Sequence, residues 1–159
     1  LGDDAAKVFA RAEELGLPIL MHQGTSPVQF ADLDWAHPRH LDRIATRFPE
    51  LRIVIAHFAH PWQVDALAVI RKHPNVWADI SALHYRPWSY YTSLRLATEW
   101  SVLHKLLFGS DWPVASPQET MDAIPHVNDI LEGTQLPRVP VDELLAVVER
   151  DALGALGLD

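Results

Sequence analysis

KLLFGSDWPVASP, residues 105–117, decides how the chain is read. Leu106 to Phe108 make a short apolar strand that runs through Gly109 and Ser110 into a carboxylate, Asp111, walled by Trp112 and Pro113. A carboxylate buried without a partner costs several kcal/mol or takes up a proton. Asp111 therefore either caps the helix that follows or faces a cation. Just beyond it, Ser116-Pro117-Gln118-Glu119 has the form of a capping box with proline at the first helical position.

The same sentence is written three more times upstream. PILMH ends at His22, LRIVIAH at His57 and VWADIS, residues 76–81, at Ser81. Helical patterns separate these strands. Val8, Ala12 and Leu15 set a stripe that Gly16 and Pro18 stop. His37-Pro38 opens a helix bearing Leu41, Ile44, Ala45 and Phe48, which Pro49 ends. Pro61 opens one bearing Val64, Leu67, Ala68 and, less well aligned, Ile70, closed by Pro74. A more aromatic helix is predicted over Tyr90 to Leu103, and a last helix or helix pair over Val141 to Leu156. Residues 23–36 and 82–89 are the longer loops, and GTQLPRVP, residues 133–140, is a surface connection.

Nearly continuous apolar strands alternating with helices predict an α/β fold with a parallel sheet. The strand ends His22, His57, Ser81 and Asp111 are 35, 24 and 30 residues apart. A (β/α)₈ barrel of about 250 residues allots about 31 to each unit. The 159 residues thus have the length and rhythm of half a TIM barrel, read as a single domain over 1–159. A doubly wound open sheet has similar spacing, but no G-x-G-x-x-G or G-x-x-x-x-G-K-[ST] loop follows any strand.

In a parallel barrel all strands finish on one face, so His22, His57, Ser81 and Asp111 are expected to converge there. Alternation predicts that Ile53 and Ile55 share the inward face of His57 while Val54 and Ala56 meet the helices. The same parity sets Leu20 with His22, Trp77 and Asp79 with Ser81, and small Gly109 with Asp111, leaving room near the axis. One histidine ending a strand is more often structural than a ligand. Three such groups at matching ends are harder to dismiss, and imidazole with carboxylate suits zinc or a similar first-row divalent ion at about 2.0–2.2 Å. His84, Tyr85, Arg86 and Trp88 lie in the loop after the third strand, where an arginine would hold a substrate carboxylate bidentately; chance surface aromatics are the plainer account. Trp112 is a candidate pocket wall, with simple packing as its alternative.

Composition removes other classes. With 13 basic and 21 acidic residues the net charge is −8, which disfavours nucleic acid and anionic membranes as partners. No apolar stretch nears the length of a membrane span. Zero cysteines exclude disulfides and thiolate metal sites and permit an intracellular, cytoplasmic location.

LPILMHQG, ELRIVIAHFAHPW and LLFGSDWP resemble the signatures of strands five, six and eight of the amidohydrolase superfamily, and NVWADISAL its seventh strand. The branch is that of aminocarboxymuconate semialdehyde decarboxylase and the pyrone and sugar lactonases. The resemblance implies that His22 is a metal ligand, that His57 polarises or transfers a proton beside the metal's water, and that Asp111 binds the metal and handles the proton of that water. It implies zinc, with manganese as the alternative; such an ion lowers the pKa of its water from about 15.7 toward 7. By their positions at the strand ends and in the overhanging loop, Ser81, His84, Arg86 and Trp112 are the candidate substrate-binding residues.

Two features depart from the family pattern. The His-x-His pair of its first strand is not in this chain, whose His37 and His40, like His57 and His60, are separated by two residues. The expectation is that the first four β/α units are missing here, so that the metal finds only two of its protein ligands. The other is HFAH, residues 57–60, where the family often has glycine after the histidine, so that Ala59 and His60 are expected to narrow that corner. The expected function is a metal-dependent hydrolase of a small molecule with a lactone, amide or similar bond. The alternatives are a non-oxidative decarboxylase (a lyase) of an aromatic or unsaturated acid, and an inactive half-barrel that self-associates or binds the missing N-terminal half.

Overall fold

Four parallel strands, β1 (Ile19–His22), β2 (Ile53–Ala56), β3 (Val76–Asp79) and β4 (Leu106–Leu107), form one sheet in chain order. This is the arrangement in the computed structural model of the chain, which describes residues 2–158; Leu1 and Asp159, the ends of the predicted domain, lie outside it. The register pairs Ile19 with Ile53 and His22 with Ala56, then Ile53 with Val76, and Asp79 with Leu107. Each crossover carries a helix: α2 (Arg39–Arg47), α3 (Gln63–Lys72) and α4 (Pro87–Glu99). The preceding α1 (Asp3–Glu14) and the following α5 (Pro117–Ala123), α6 (Val141–Val148) and α7 (Ala152–Ala155) complete the unit.

One face of the sheet builds the core. Ile53, Ile55, Val76, Ala78, Ile80 and Leu106 are fully buried against Leu41 and Ile44 of α2, Leu67 and Ile70 of α3 and Leu94 of α4. The α2 stripe is the predicted one, including Phe48. Two other helices turn differently from their predicted stripes. In α1, Ala6 and Phe9 are buried while Val8 and Leu15 are exposed, because Phe9 packs on Phe48 at 6.1 Å between ring centroids. In α3, Ala66 and Val69 join Leu67 and Ile70 inside, and Val64 and Ala68 face outward.

Strand β2 overturns the predicted alternation. Val54 and Ala56 share the open face with Leu20 and His22, and Ile53 and Ile55 face the helices. The parity fails at His57, where the chain leaves the extended conformation for a short 3₁₀ turn, His57–Ala59, with φ of 58°, 48° and 53° at its three residues. That left-handed turn swings the imidazole back to the face of Ala56.

Helix α4 starts three residues earlier than predicted, with Pro87 in its first turn, and ends at Glu99. The capping box forms at α5: Ser116 Oγ accepts from Glu119 N at 3.1 Å, and Glu119 Oε2 accepts from Ser116 N at 2.7 Å. The bond from Ser116 N and a second from the Ser116 hydroxyl, also 2.7 Å to Glu119 Oε2, hold the Glu119 carboxyl below its ordinary range. Asp151 caps α7, accepting from Gly154 N at 2.9 Å. No helix among the described residues is long and apolar enough to cross a membrane.

Candidate active site

The four strand ends meet where two hollows adjoin. A cleft of about 400 Å³ is lined by His22, Gln23, His57, His60, Tyr85, Arg86 and Asp111, among others. A groove of about 600 Å³ runs down the open sheet face past Leu20, Val54, Asp79, Ser81, Gly109 and Trp112 to Ala152 and Leu156. His22, His57 and Asp111 border both. Their rings and carboxylate are neighbours: the imidazoles of His22 and His57 are 5.1 Å apart between centroids, and His57 Nε2 is 3.9 Å from Asp111 Oδ1.

Backbone geometry aims these groups. His57, Phe58, Ala59, Ala82 and Asp111 are five of the six non-glycine residues with positive φ among those described, and all lie just past strand ends at this mouth. Such a conformation costs an L-residue roughly 1–2 kcal/mol, so neighbouring bonds must hold it. At β2 they do: His57 N donates to Asp79 Oδ1 at 3.0 Å, His60 N to His57 O at 3.0 Å and Trp62 N to Ala59 O at 2.7 Å. After β4, Val114 N donates to Asp111 O at 2.8 Å, closing the turn that presents the carboxylate. The loop after β1 is pinned beside His60, with Thr25 N donating to His60 O at 2.7 Å. A side chain at Gly24 would run into that same carbonyl, and its φ of 119° suits glycine alone.

The other predicted residues divide. Arg86 lines the cleft, half-buried, donating to the Ala82 carbonyl and lying 4.5 Å from the Tyr85 ring centre. Trp112 is 74% exposed and borders the groove but not the cleft. His84 leaves both hollows: it faces a separate pocket with Glu119, because the tight turn at Ala82 and Leu83 sends consecutive side chains of this loop in different directions. Burial holds its imidazole below the ordinary range, opposed by the Glu119 charge. Ser81, expected to touch substrate, is only 3% exposed, and its hydroxyl is engaged by Asp79 and, at 2.8 Å, by His57 Nδ1.

Two residues at this mouth, His60 in the cleft and Asp79 in the groove, have no catalytic, metal-binding or substrate-binding role in the sequence analysis. His60 lines the cleft and bonds Gln63 Nε2 through Nδ1 at 2.8 Å; burial, then the Arg86 charge, hold its imidazole below the usual range. Asp79, 8% exposed, accepts through Oδ1 from the backbone N–H groups of His57 and Ser81, each at 3.0 Å, and from the Ser81 hydroxyl. The only signal for it was strand parity with Ser81.

Imidazole and carboxylate together have the donor chemistry of a zinc site. Among the described residues, however, no three histidine, aspartate or glutamate side chains are placed to hold one ion. The described residues fall short of the three protein ligands that catalytic zinc takes.

Residues 1–145 match the family described as Amidohydrolase. An L-fucono-1,5-lactonase of Burkholderia ambifaria is 35% identical over a match covering 49% of this chain and 33% of that protein. Among solved structures, an uncharacterised TIM-barrel protein of Bordetella bronchiseptica is 23% identical with a TM-score of 0.67, over 95% of this chain and 50% of that one. An amidohydrolase of Burkholderia multivorans with bound zinc is 16% identical with a TM-score of 0.65, over 99% and 58%. Solved structures of this fold include hydrolases and decarboxylases alike. The chain spans a third of the lactonase and roughly half of the solved structures it matches.

Proposed function

Because the chain belongs to the amidohydrolase family, we propose that it forms the C-terminal half-barrel of a metal-dependent hydrolase acting on a lactone, amide or similar bond of a small molecule. The observation that carries this is the convergence of His22, His57 and Asp111 at one mouth, from strand ends up to 89 residues apart in sequence. His22 and Asp111 are the residues that would hold the cation, zinc or manganese, as part of its ligand set. A divalent cation supplies charge that makes a water nucleophilic near neutral pH. His57 and Asp111, 3.9 Å apart, would take a proton from the attacking water and return it to the oxygen or nitrogen that leaves. Arg86, which lines the cleft together with His60, orients an acidic group of the substrate. A second copy or an N-terminal half-barrel covers the two edges of the sheet.

The same arginine favours one second reading, loss of carbon dioxide from an unsaturated acid held by its carboxylate. A panel of lactones, amides and unsaturated carboxylic acids, followed by ring opening and by acid loss, separates the two. Asp111→Asn is expected to lower the rate at least 10³-fold and His57→Asn about 10²-fold. His22→Ala and Asp111→Asn should also lower bound zinc or manganese, whereas His57→Asn should not. Full activity after metal removal, or in Asp111→Asn, overturns the proposal.

A further inference from the structure

We infer that Asp79 and Ser81 form a positioning relay that fixes which nitrogen of His57 carries its proton, leaving Nε2 bare toward the mouth. The argument follows the donors. Asp79 Oδ1 already receives the backbone N–H groups of His57 and Ser81, so it is an acceptor. The Ser81 hydroxyl has a single proton, and its oxygen contacts that same Oδ1. Its proton therefore goes to Asp79. What Ser81 Oγ turns toward His57 Nδ1, 2.8 Å away, is a lone pair, so Nδ1 must bring the hydrogen. In the neutral ring Nε2 is then unprotonated, and it faces Asp111 Oδ1 at 3.9 Å.

The relay is packed to stay in place. Asp79 and Ser81 are 8% and 3% exposed. A Cβ at Gly109 would stand 3.3 Å from Ser81 Cβ and 3.5 Å from Asp79 Cβ, so the small residue on β4's extension makes room for this pair. Asp79 also bonds the backbone of the residue whose ring it governs, coupling the left-handed turn at His57 to the orientation of its imidazole. Chemically, a bare Nε2 can take the proton of a water or hydroxyl as that oxygen attacks, and later deliver it to the leaving atom. The Nδ1 hydrogen stays on the ring throughout, donated to Ser81 Oγ. Asp79 and Ser81 are positioning residues, because neither reaches the cleft.

The inference rests on His57 being the proton-transferring group, but its test does not require turnover. Protein labelled with ¹⁵N-histidine and stripped of metal is observed in mildly alkaline buffer by long-range ¹H–¹⁵N correlation, with His57 assigned by its loss in His57→Asn. A protonated Nδ1 and bare Nε2 are expected in the parent chain, opposite to the form an unrestrained imidazole prefers. Ser81→Ala should convert the signal to the Nε2–H form or a mixture, and Ser81→Thr, which keeps the hydroxyl, should restore the Nδ1–H form. With a substrate in hand, Ser81→Ala should lower kcat about tenfold and leave KM unchanged. An Nε2–H ring in the parent, or a spectrum that Ser81→Ala does not alter, overturns the relay. The Nδ1–H form in a protein without hydrolase activity sinks the proposed function and keeps the relay; the Nε2–H form in an active hydrolase does the reverse.

Discussion

Asp79 and Lys105 are equally buried, each 8% exposed, at opposite ends of the β3–β4 pair. Lys105 closes the 3₁₀ turn before β4, where its ammonium donates to the carbonyls of Ile70, His73 and Pro74 at 3.2, 2.6 and 3.0 Å and lies 5.0 Å from the Trp77 ring centre. Its partners are fixed backbone at the end of α3, so the network stops there. Asp79 also binds backbone, but one of its bonds runs through a hydroxyl to an imidazole at an open mouth. Burial and charge alone do not tell a structural group from a functional one. What distinguishes these two is where the hydrogen-bond chain ends.

Removing the acceptor at the mouth end should have the larger effect on stability. Asp79→Ala strands the His57 and Ser81 amides and the Ser81 hydroxyl, three donors in a buried place. At about 1 kcal/mol or more each, the loss should be about 3 kcal/mol in urea unfolding. A loss below about 1 kcal/mol would mean that water replaces Asp79 freely, and the contrast between the two ends would fail.

The lysine end should respond to pH instead. Burial pushes the Lys105 ammonium down to about 8 from an ordinary 10.5. Between those values the unfolded chain binds more protons than the folded one, so stability rises with pH across the window. Below it both states carry the proton and the burial penalty is constant. Lys105→Met should cost about 1 kcal/mol at neutral pH through the unpaired carbonyls. The parent chain should then gain on the variant by on the order of 2 kcal/mol between pH 8 and 10.5. Parallel unfolding curves at the two ends of that range would show that the three carbonyls hold the ammonium against desolvation.

These ends were not equally legible in the sequence. The strand ends, the α2 stripe and the Ser116–Glu119 box follow from local rules, because hydrophobic period and capping chemistry act within a few residues. The convergence of His22, His57 and Asp111 was also readable, since a parallel sheet puts every strand end on one side. The inward face of β2 was not, because alternation carries information only while the chain stays extended, and it stops at His57. The destination of Ser81 was equally hidden. A serine after a strand has the same sequence signature whether its hydroxyl meets a substrate or spans two side chains from different strands. The burial of Lys105 was hidden as well, since its three carbonyls come from residues 31 to 35 positions away.

The smallest effect tests the turn that joins the two regions. Ala59 is fully buried with φ of 53°, at a place where glycine would meet no steric penalty. Ala59→Gly relieves left-handed strain of roughly 1 kcal/mol and forfeits a buried methyl worth roughly 0.8 kcal/mol, so unfolding free energy should change by less than about 0.5 kcal/mol. Mobility should change more, because glycine widens the range of backbone states open to the chain beside His57. Faster amide exchange at His60 and Trp62 with unaltered stability would show that the side chain at position 59 stiffens the platform of the imidazole. A stabilisation above about 1 kcal/mol would show instead that the turn stores strain which the Asp79 bonds must hold.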